Sequence, residues 1–299
     1  DFLPQLEEKH LLAVENFWKA IPRIMGGLVL KCVVADSLAP LVASCLEGSS
    51  VTTTGAMIGA LAFGIQIYGD FAGYSHIAIG LAQLFGYDLM ENFRAPYTAR
   101  DPRDFWRRWH ISLSTWLRDY LYIPLGGSRQ GAAKTMRALF LTMILGGLWH
   151  GASANFLLWG AFHGAWLIVH RLSASTLKGF SATPGYALVS WGCTQYLVFL
   201  SWILFRVKDL SLVLDQAGAY LRVWDWNRMD VIRICEAHPQ PMAILGVSIL
   251  WQGLVRVVPW AGNPLHPRSS IVPLQVFVAT LLLLWLTPEA ASAFIYFQF

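Results

Sequence analysis

Charge is scarce in this chain. Only 13% of its 299 residues are Asp, Glu, Lys or Arg, where soluble domains carry about 25%, and 56% are hydrophobic. That deficit argues against an ordinary water-soluble globule and points to a bilayer. Neither sign dominates: 22 Lys and Arg against 18 Asp and Glu leave +4. The basic residues are scattered among loops rather than gathered on one face, so nucleic acid is not an expected partner. Cys32, Cys45, Cys193 and Cys235 lack the paired spacing of a metal site, and the first three lie in apolar stretches where cysteine serves as a small hydrophobe. Neither a metal nor a disulfide is expected. No G-x-S-x-G elbow, Gly-Lys-Ser/Thr phosphate loop or H-E-x-x-H zinc helix occurs, which argues against hydrolysis by those routes. Short alternating strands with regular turn signals are missing too, which argues against a soluble α/β enzyme.

What is present is long apolar sequence. Twenty-two residues without Asp, Glu, Lys or Arg separate Glu47 from Asp70, 33 separate Arg137 from Arg171, and 27 separate Lys178 from Arg206. Runs of 19 and 20 follow between Glu236 and Arg256 and between Arg268 and Glu289. One crossing of the hydrocarbon core takes roughly 20 mainly apolar residues, and a backbone without water must satisfy itself as helix. The expected fold class is all-α, a polytopic integral membrane protein with a single membrane-embedded domain over residues 1–299. Helices are predicted over about 24–46, 54–68, 71–85, 185–205, 242–255 and 271–286. Residues 138–170 form one span and most of another, broken near Gly146-Gly147-Leu148-Trp149-His150-Gly151. Lys31 and Asp36 make the first segment either a span with a polar lining or an interfacial helix. Asp70 and His76 are costly at bilayer depth and would face a protein interior or wet cavity; the alternative is a surface loop at Gly69-Asp70. Residues 1–6 carry neither an initiator Met nor the regions of a signal peptide, and read as the interior of a longer chain.

The most basic stretch, residues 94–137, holds nine of the 22 Lys and Arg against Asp101, Asp104 and Asp119. By the positive-inside rule its exposed ends belong on the cytoplasmic side. Within it Asp101 suits a helix cap, Pro102 the first helical position and Asp104 the positive helix end, predicting one helix from Pro102 to about Tyr120. On such a helix Trp106, Trp109, Leu113, Trp116 and Tyr120 form an aromatic stripe, and Arg103, Arg107, His110, Ser114 and Arg118 a parallel polar one. A helix of this kind lies at the interface or lines a re-entrant cavity.

Histidine at membrane depth suits general-base work, since a neutral imidazole accepts a proton from a hydroxyl. His150 sits at the Gly-flanked break, where backbone can approach another element or a ligand closely; His110 sits on the polar stripe. Each also has a bland reading as a packed core histidine. Trp159, His163, Trp166 and His170 share a helical face, with His170 interfacial beside Arg171. Trp149 and Asn155 are open to two readings, cavity lining or packing with backbone bonding. Arg118 and Asp119 read first as residues that hold the basic helix end.

The segment Asp104-Phe105-Trp106-Arg107-Arg108-Trp109-His110-Ile111-Ser112-Leu113-Ser114-Thr115-Trp116-Leu117-Arg118-Asp119-Tyr120, continuing to Gly126-Gly127, resembles the signature of the membrane-bound O-acyltransferase (MBOAT) family in its bacterial alginate O-acetyltransferase branch. So does Gly147-Leu148-Trp149-His150-Gly151-Ala152, about 40 residues later. Tyr68-Gly69-Asp70-Phe71-Ala72-Gly73-Tyr74-Ser75, Glu91-Asn92-Phe93, Trp159-Gly160 and His163-Gly164 agree. The similarity is dense over 28–170 and thin beyond. Two departures stand out: His76 occupies a position where similar sequences have Asp, and family members are longer at the N-terminus, so that this chain is expected either to lack several leading helices or to continue from residues outside this sequence.

The resemblance implies that His150 is the catalytic histidine and His110 the second histidine of a tunnel, with Trp109, Ser114, Trp116, Arg118, Asp119, Trp149, Asn155 and His163 as lining candidates. It implies a ring of helices around a thinned centre in the bacterial inner membrane, and no bound cofactor. A cytoplasmic thioester such as acetyl-CoA or an acyl carrier protein would supply an acyl group, with acetyl favoured, for hydroxyls of an exported polysaccharide. Transfer would be direct or through a periplasmic or membrane-anchored acetyltransferase partner. D-alanyl or fatty-acyl transfer is the alternative within the family; a transporter or export scaffold with a buried proton path is the alternative outside it.

Overall fold

A computed structural model describes residues 3–7, 13–48, 50–257, 272–289 and 294. The opening pair Asp1-Phe2 and residue Ile271, where the last predicted segment begins, lie outside them. No strand occurs among the described residues, which are all-α as the apolar runs require. Three helical stretches, Val14–Leu46, Thr53–Leu84 and Tyr186–Arg206, are long and apolar enough to cross a membrane. The chain packs as two compact units.

The first unit comprises the described residues up to 40, those of 65–92 and those between 238 and 294. Helix α1 (Val14–Leu28) runs through a π-helical segment, Val29–Ala35, into α2 (Asp36–Leu46). Helix α3 (Thr53–Leu84) contributes its later residues, and α11 (Pro239–Val257) and α12 (Val272–Leu286) complete the unit. The expected break at Gly69-Asp70 does not exist: α3 is one uninterrupted helix of 32 residues, about 48 Å at 1.5 Å per residue. The reason is tertiary. Gly69 and Gly73 bring α3 against the first helix so closely that a Cβ on Gly73 would stand 2.7 Å from the Gly27 carbonyl oxygen, the small-residue contact that membrane helices favour. Asp70 is not at a surface turn, because Lys31 Nζ, in the π-helical segment, lies 2.7 Å from its carboxylate and 2.8 Å from that of Asp36. Both aspartates are buried.

The second unit comprises residues 41–64 and 93–237. Its centre is a helical hairpin of α6 (Ala132–His150) and α7 (Ala154–Phe180). The break expected between them is present, at Gly151-Ala152-Ser153. Glycine permits the hairpin's closeness: a Cβ on Gly147 would stand 2.3 Å from the Phe156 carbonyl oxygen, and one on Gly160 2.4 Å from that of Met143. Helix α8 (Tyr186–Arg206) packs on α7, and α9 (Leu210–Leu221) on α8. Gln216 of α9 donates to the Cys45 and Leu46 carbonyls at 3.1 Å each, satisfying the end of α2. Helices α9 and α10 (Arg228–Ala237) stand where the sequence reading had only loops. They are too short to register as apolar runs, and Asp209 starts α9 by accepting the Leu212 N–H at 2.9 Å.

The single helix expected from Pro102 to Tyr120 is also corrected. Asp101 caps as predicted, accepting from the N–H groups of Arg103 and Asp104 at 2.8 and 2.9 Å. The chain then forms α4 (Pro102–Trp106), a turn, α5 (Ile111–Leu117) and a π-helical segment, Arg118–Tyr122. A continuous helix would give the Arg108 carbonyl to Ser112; here the Arg94 N–H takes it at 3.0 Å. His110 accordingly adopts left-handed backbone, φ 43° and ψ 57°. The aromatic stripe is split by this turn. Trp109 is 2% exposed, whereas Trp116 is 48% exposed.

Candidate functional site

The second unit gathers most of the residues singled out from the sequence. His150 ends α6, and Gly151 lets the chain reverse, because a Cβ there would press within 2.8 Å of the Phe156 ring. Asn155, at the start of α7, donates to the Phe205 carbonyl at 3.3 Å, and Ser153 donates to the Asn155 side-chain oxygen. Asn155 therefore ties the reversal to the end of α8. The His150 ring is walled by Phe205 at 5.0 Å, Trp159 at 5.4 Å and Phe156 at 6.0 Å between centroids. On another side lies Trp149, at 5.0 Å.

His110 reaches the same indole from the other strand of chain. Its ring lies 6.2 Å from Trp149, edge on at 64°, and its Nδ1 is 3.4 Å from Ser112 Oγ. The turn that carries it is held by Trp109, stacked on Phe105 at 5.7 Å and packed on Trp202 at 4.8 Å. Ser114 spends its hydroxyl on the Trp109 carbonyl at 3.1 Å, bracing the same turn. The structure thus brings His110, Trp149, His150 and Asn155 into one cluster, with Trp149 57% exposed and the others covered more deeply.

Trp116, Arg118 and Asp119 follow on α5 and the π-helical segment. Trp116 packs on Tyr120 at 5.5 Å. Arg118 binds the Asp119 carboxylate through Nε at 2.7 Å and a second nitrogen at 3.0 Å. That forked bond holds the Asp119 carboxyl below, and the Arg118 guanidinium above, their ordinary ranges. His170 lies 3.9 Å from Asp101. His163 is fully enclosed, 4.8 Å from Trp159, 5.1 Å from Trp106 and stacked on Phe105 at 6.3 Å.

Phe205, Phe156 and Trp159 form the wall around His150, and Trp202 backs it through Phe205. Of these the sequence marks only Trp159, as a helical-face residue and within the Trp159-Gly160 stretch. Phe205 lies 55 residues beyond His150 at the end of an apolar run, and nothing local distinguishes it from its neighbours. Among the described residues no group of three or more His, Cys, Asp or Glu is arranged to hold a metal.

Residues 50–183 match the family model of the membrane-bound O-acyltransferases. A probable alginate O-acetylase of Pseudomonas putida is 38% identical over 309 residues, an alignment covering 96% of this chain and 62% of that protein. A peptidoglycan O-acetyltransferase of Helicobacter pylori is 37% identical over 217 residues, covering 72% of this chain and 41% of that protein. A teichoic acid D-alanyltransferase of Streptococcus thermophilus is 32% identical over 164 residues, covering 51% and 40%. The chain spans less than two thirds of the length of each.

Proposed function

We propose, on these matches, that the chain is a member of the membrane-bound O-acyltransferase family and that it transfers an acetyl group from a thioester to hydroxyls of an exported polysaccharide. The observation that carries this reading is the shared indole: His110 and His150, 40 residues apart in sequence, both pack against Trp149. The acetyl and polysaccharide assignments draw on the relatives named for alginate and peptidoglycan O-acetylation, which match more of this chain than the D-alanyltransferase does.

In the proposed reaction a His150 ring nitrogen removes the proton from an acceptor hydroxyl as its oxygen attacks the thioester carbonyl carbon. The tetrahedral adduct collapses, the carbon–sulfur bond breaks, and the departing thiolate takes the proton from His150. An ester and a free thiol result. The aromatic wall excludes water, which would otherwise compete with the acceptor. His110 orients the donor or stabilises the developing oxyanion, a contribution of about 2.7–4 kcal/mol per donor group in comparable acyl-transfer sites.

The setting is a multi-pass protein of the bacterial inner membrane, with the basic stretch 94–137 on the cytoplasmic side beside an acetyl-CoA or acyl carrier protein donor. The acceptor is the polysaccharide itself or a periplasmic or membrane-anchored acetyltransferase that relays the group. The test is mass spectrometry of an acceptor incubated with purified protein and acetyl-, D-alanyl- and palmitoyl-thioesters. Acetyl transfer that disappears in His150→Ala supports the reading. Preference for either other donor overturns the acetyl assignment, and turnover undiminished in His150→Ala overturns the mechanism.

A further inference from the structure

His163 is a buried histidine that the proposed chemistry does not use. It is 0% exposed, and among the described residues neither of its ring nitrogens meets a hydrogen-bond partner. Two neighbours share this condition. The indole N–H groups of Trp106 and Trp159 are buried and likewise meet none, and the three rings are mutual neighbours, with centroids 5.1 Å apart for Trp106 and His163, 4.8 Å for Trp159 and His163, and 5.7 Å for the two indoles. Four polar nitrogens therefore occupy one small region of an otherwise aromatic wall. Leaving a buried polar group unsatisfied costs about 1–3 kcal/mol, so a cluster of them is not a neutral way to fill space.

We propose that His163, with the indole N–H groups of Trp106 and Trp159, forms an internal site for a hydroxyl oxygen, supplied by ordered water or by an alcohol ligand. The hydrogen-bonding requirements select this chemistry. An indole offers only a donor, and a neutral imidazole offers one donor and one acceptor nitrogen. The indoles call for an acceptor oxygen, whereas the imidazole lone pair calls for a donor. A carbonyl or an anion answers the first need and fails the second; an ammonium does the reverse. An O–H group answers both. Edge-on ring packing supplies weak N–H to π contacts, yet no aromatic face can donate to the imidazole lone pair.

The site adjoins the candidate catalytic cluster through Trp159, whose ring lies 5.4 Å from His150 and 4.8 Å from His163. An oxygen held there fixes the indole that walls His150. The assignment stands whether or not His150 is the base, because it rests on the two indole N–H groups and one imidazole nitrogen.

The test is a high-resolution cryo-electron microscopy map of the purified protein in lipid nanodiscs, prepared with and without glycerol as the probe alcohol. Density within about 3.2 Å of a His163 ring nitrogen in both maps identifies water; density only with glycerol identifies an alcohol site. Absence from both maps overturns the proposal. His163→Phe supplies an independent check through the thermal midpoint. Removing a filled site leaves the indoles and the bound oxygen short of partners, so the midpoint falls; removing an unsatisfied imidazole raises it. A raised midpoint, or density that persists in His163→Phe, overturns the proposal.

Discussion

Lys31 and Asp70 meet at 2.7 Å, although 39 positions separate them and one sits in a π-helical segment of the first helical stretch while the other lies deep within α3. Asp36 shares the same ammonium at 2.8 Å. One cation thus serves two buried carboxylates.

Lys31→Met should be strongly destabilising, because it leaves two buried carboxylates without their cation. Breaking a buried pair by removing one partner costs about 3–5 kcal/mol. Asp70→Asn keeps the Lys31–Asp36 pair and should cost less. The triple variant Lys31→Met, Asp36→Asn, Asp70→Asn should recover part of the loss. Thermal midpoints in detergent rank these variants, and a triple variant less stable than Lys31→Met contradicts the electrostatic account.

Gly160→Ala should open the α6–α7 hairpin, since the new methyl meets the Met143 carbonyl at 2.4 Å. Overpacking of this kind typically costs about 1–3 kcal/mol. His150 ends α6, so transfer should fall together with the thermal midpoint. Gly179→Ala, with open space around it in α7, is the control and should leave transfer unchanged without lowering the midpoint.

His150→Ala should lower acyl transfer by at least about 10²-fold, the lower end of what a positioned general base contributes. His150→Gln should not rescue it, because an amide hydrogen-bonds without accepting a proton near neutral pH. Retention of more than about a tenth of turnover by the Gln variant, in purified protein, moves the base elsewhere and makes His150 a positioning residue.

His110 has two separable duties, and two substitutions distinguish them. Its left-handed backbone suits Gly, which adopts positive φ without steric cost, so His110→Gly should be at least as stable as His110→Ala. Both should lose transfer if the imidazole acts in chemistry. Activity retained in His110→Gly but lost in His110→Ala would assign the residue to turn geometry alone.

Several features were legible from the sequence for local physical reasons. Charge-free runs demand helices, and the tail span expected at 185–205 is α8. Asp101 followed by Pro102 marks a helix start wherever it occurs, and the cap forms as expected. Glycines around His150 marked the hairpin break because tight reversal is a backbone property. The continuity of α3 was not legible: Gly69-Asp70 reads as a break until Lys31 and the Gly27 backbone arrive from a distant segment to make both residues acceptable in mid-helix. The same holds for the basic helix. Periodicity carries it past His110, whereas in the structure the Arg94 N–H takes the Arg108 carbonyl where the helix breaks.

Sequence by itself therefore determined the all-α class, the capped start of α4, the hairpin break and which histidines to watch, since composition and residues adjacent in the chain specify each of these. Tertiary structure alone decided that Phe205 and Trp159 wall His150 and that Trp149, beside His150 in the chain, also lies against His110. The Phe205–His150 and His110–Trp149 contacts join segments 55 and 39 residues apart in the chain. A ring's partners depend on which helix closes over it, and no local pattern encodes that choice.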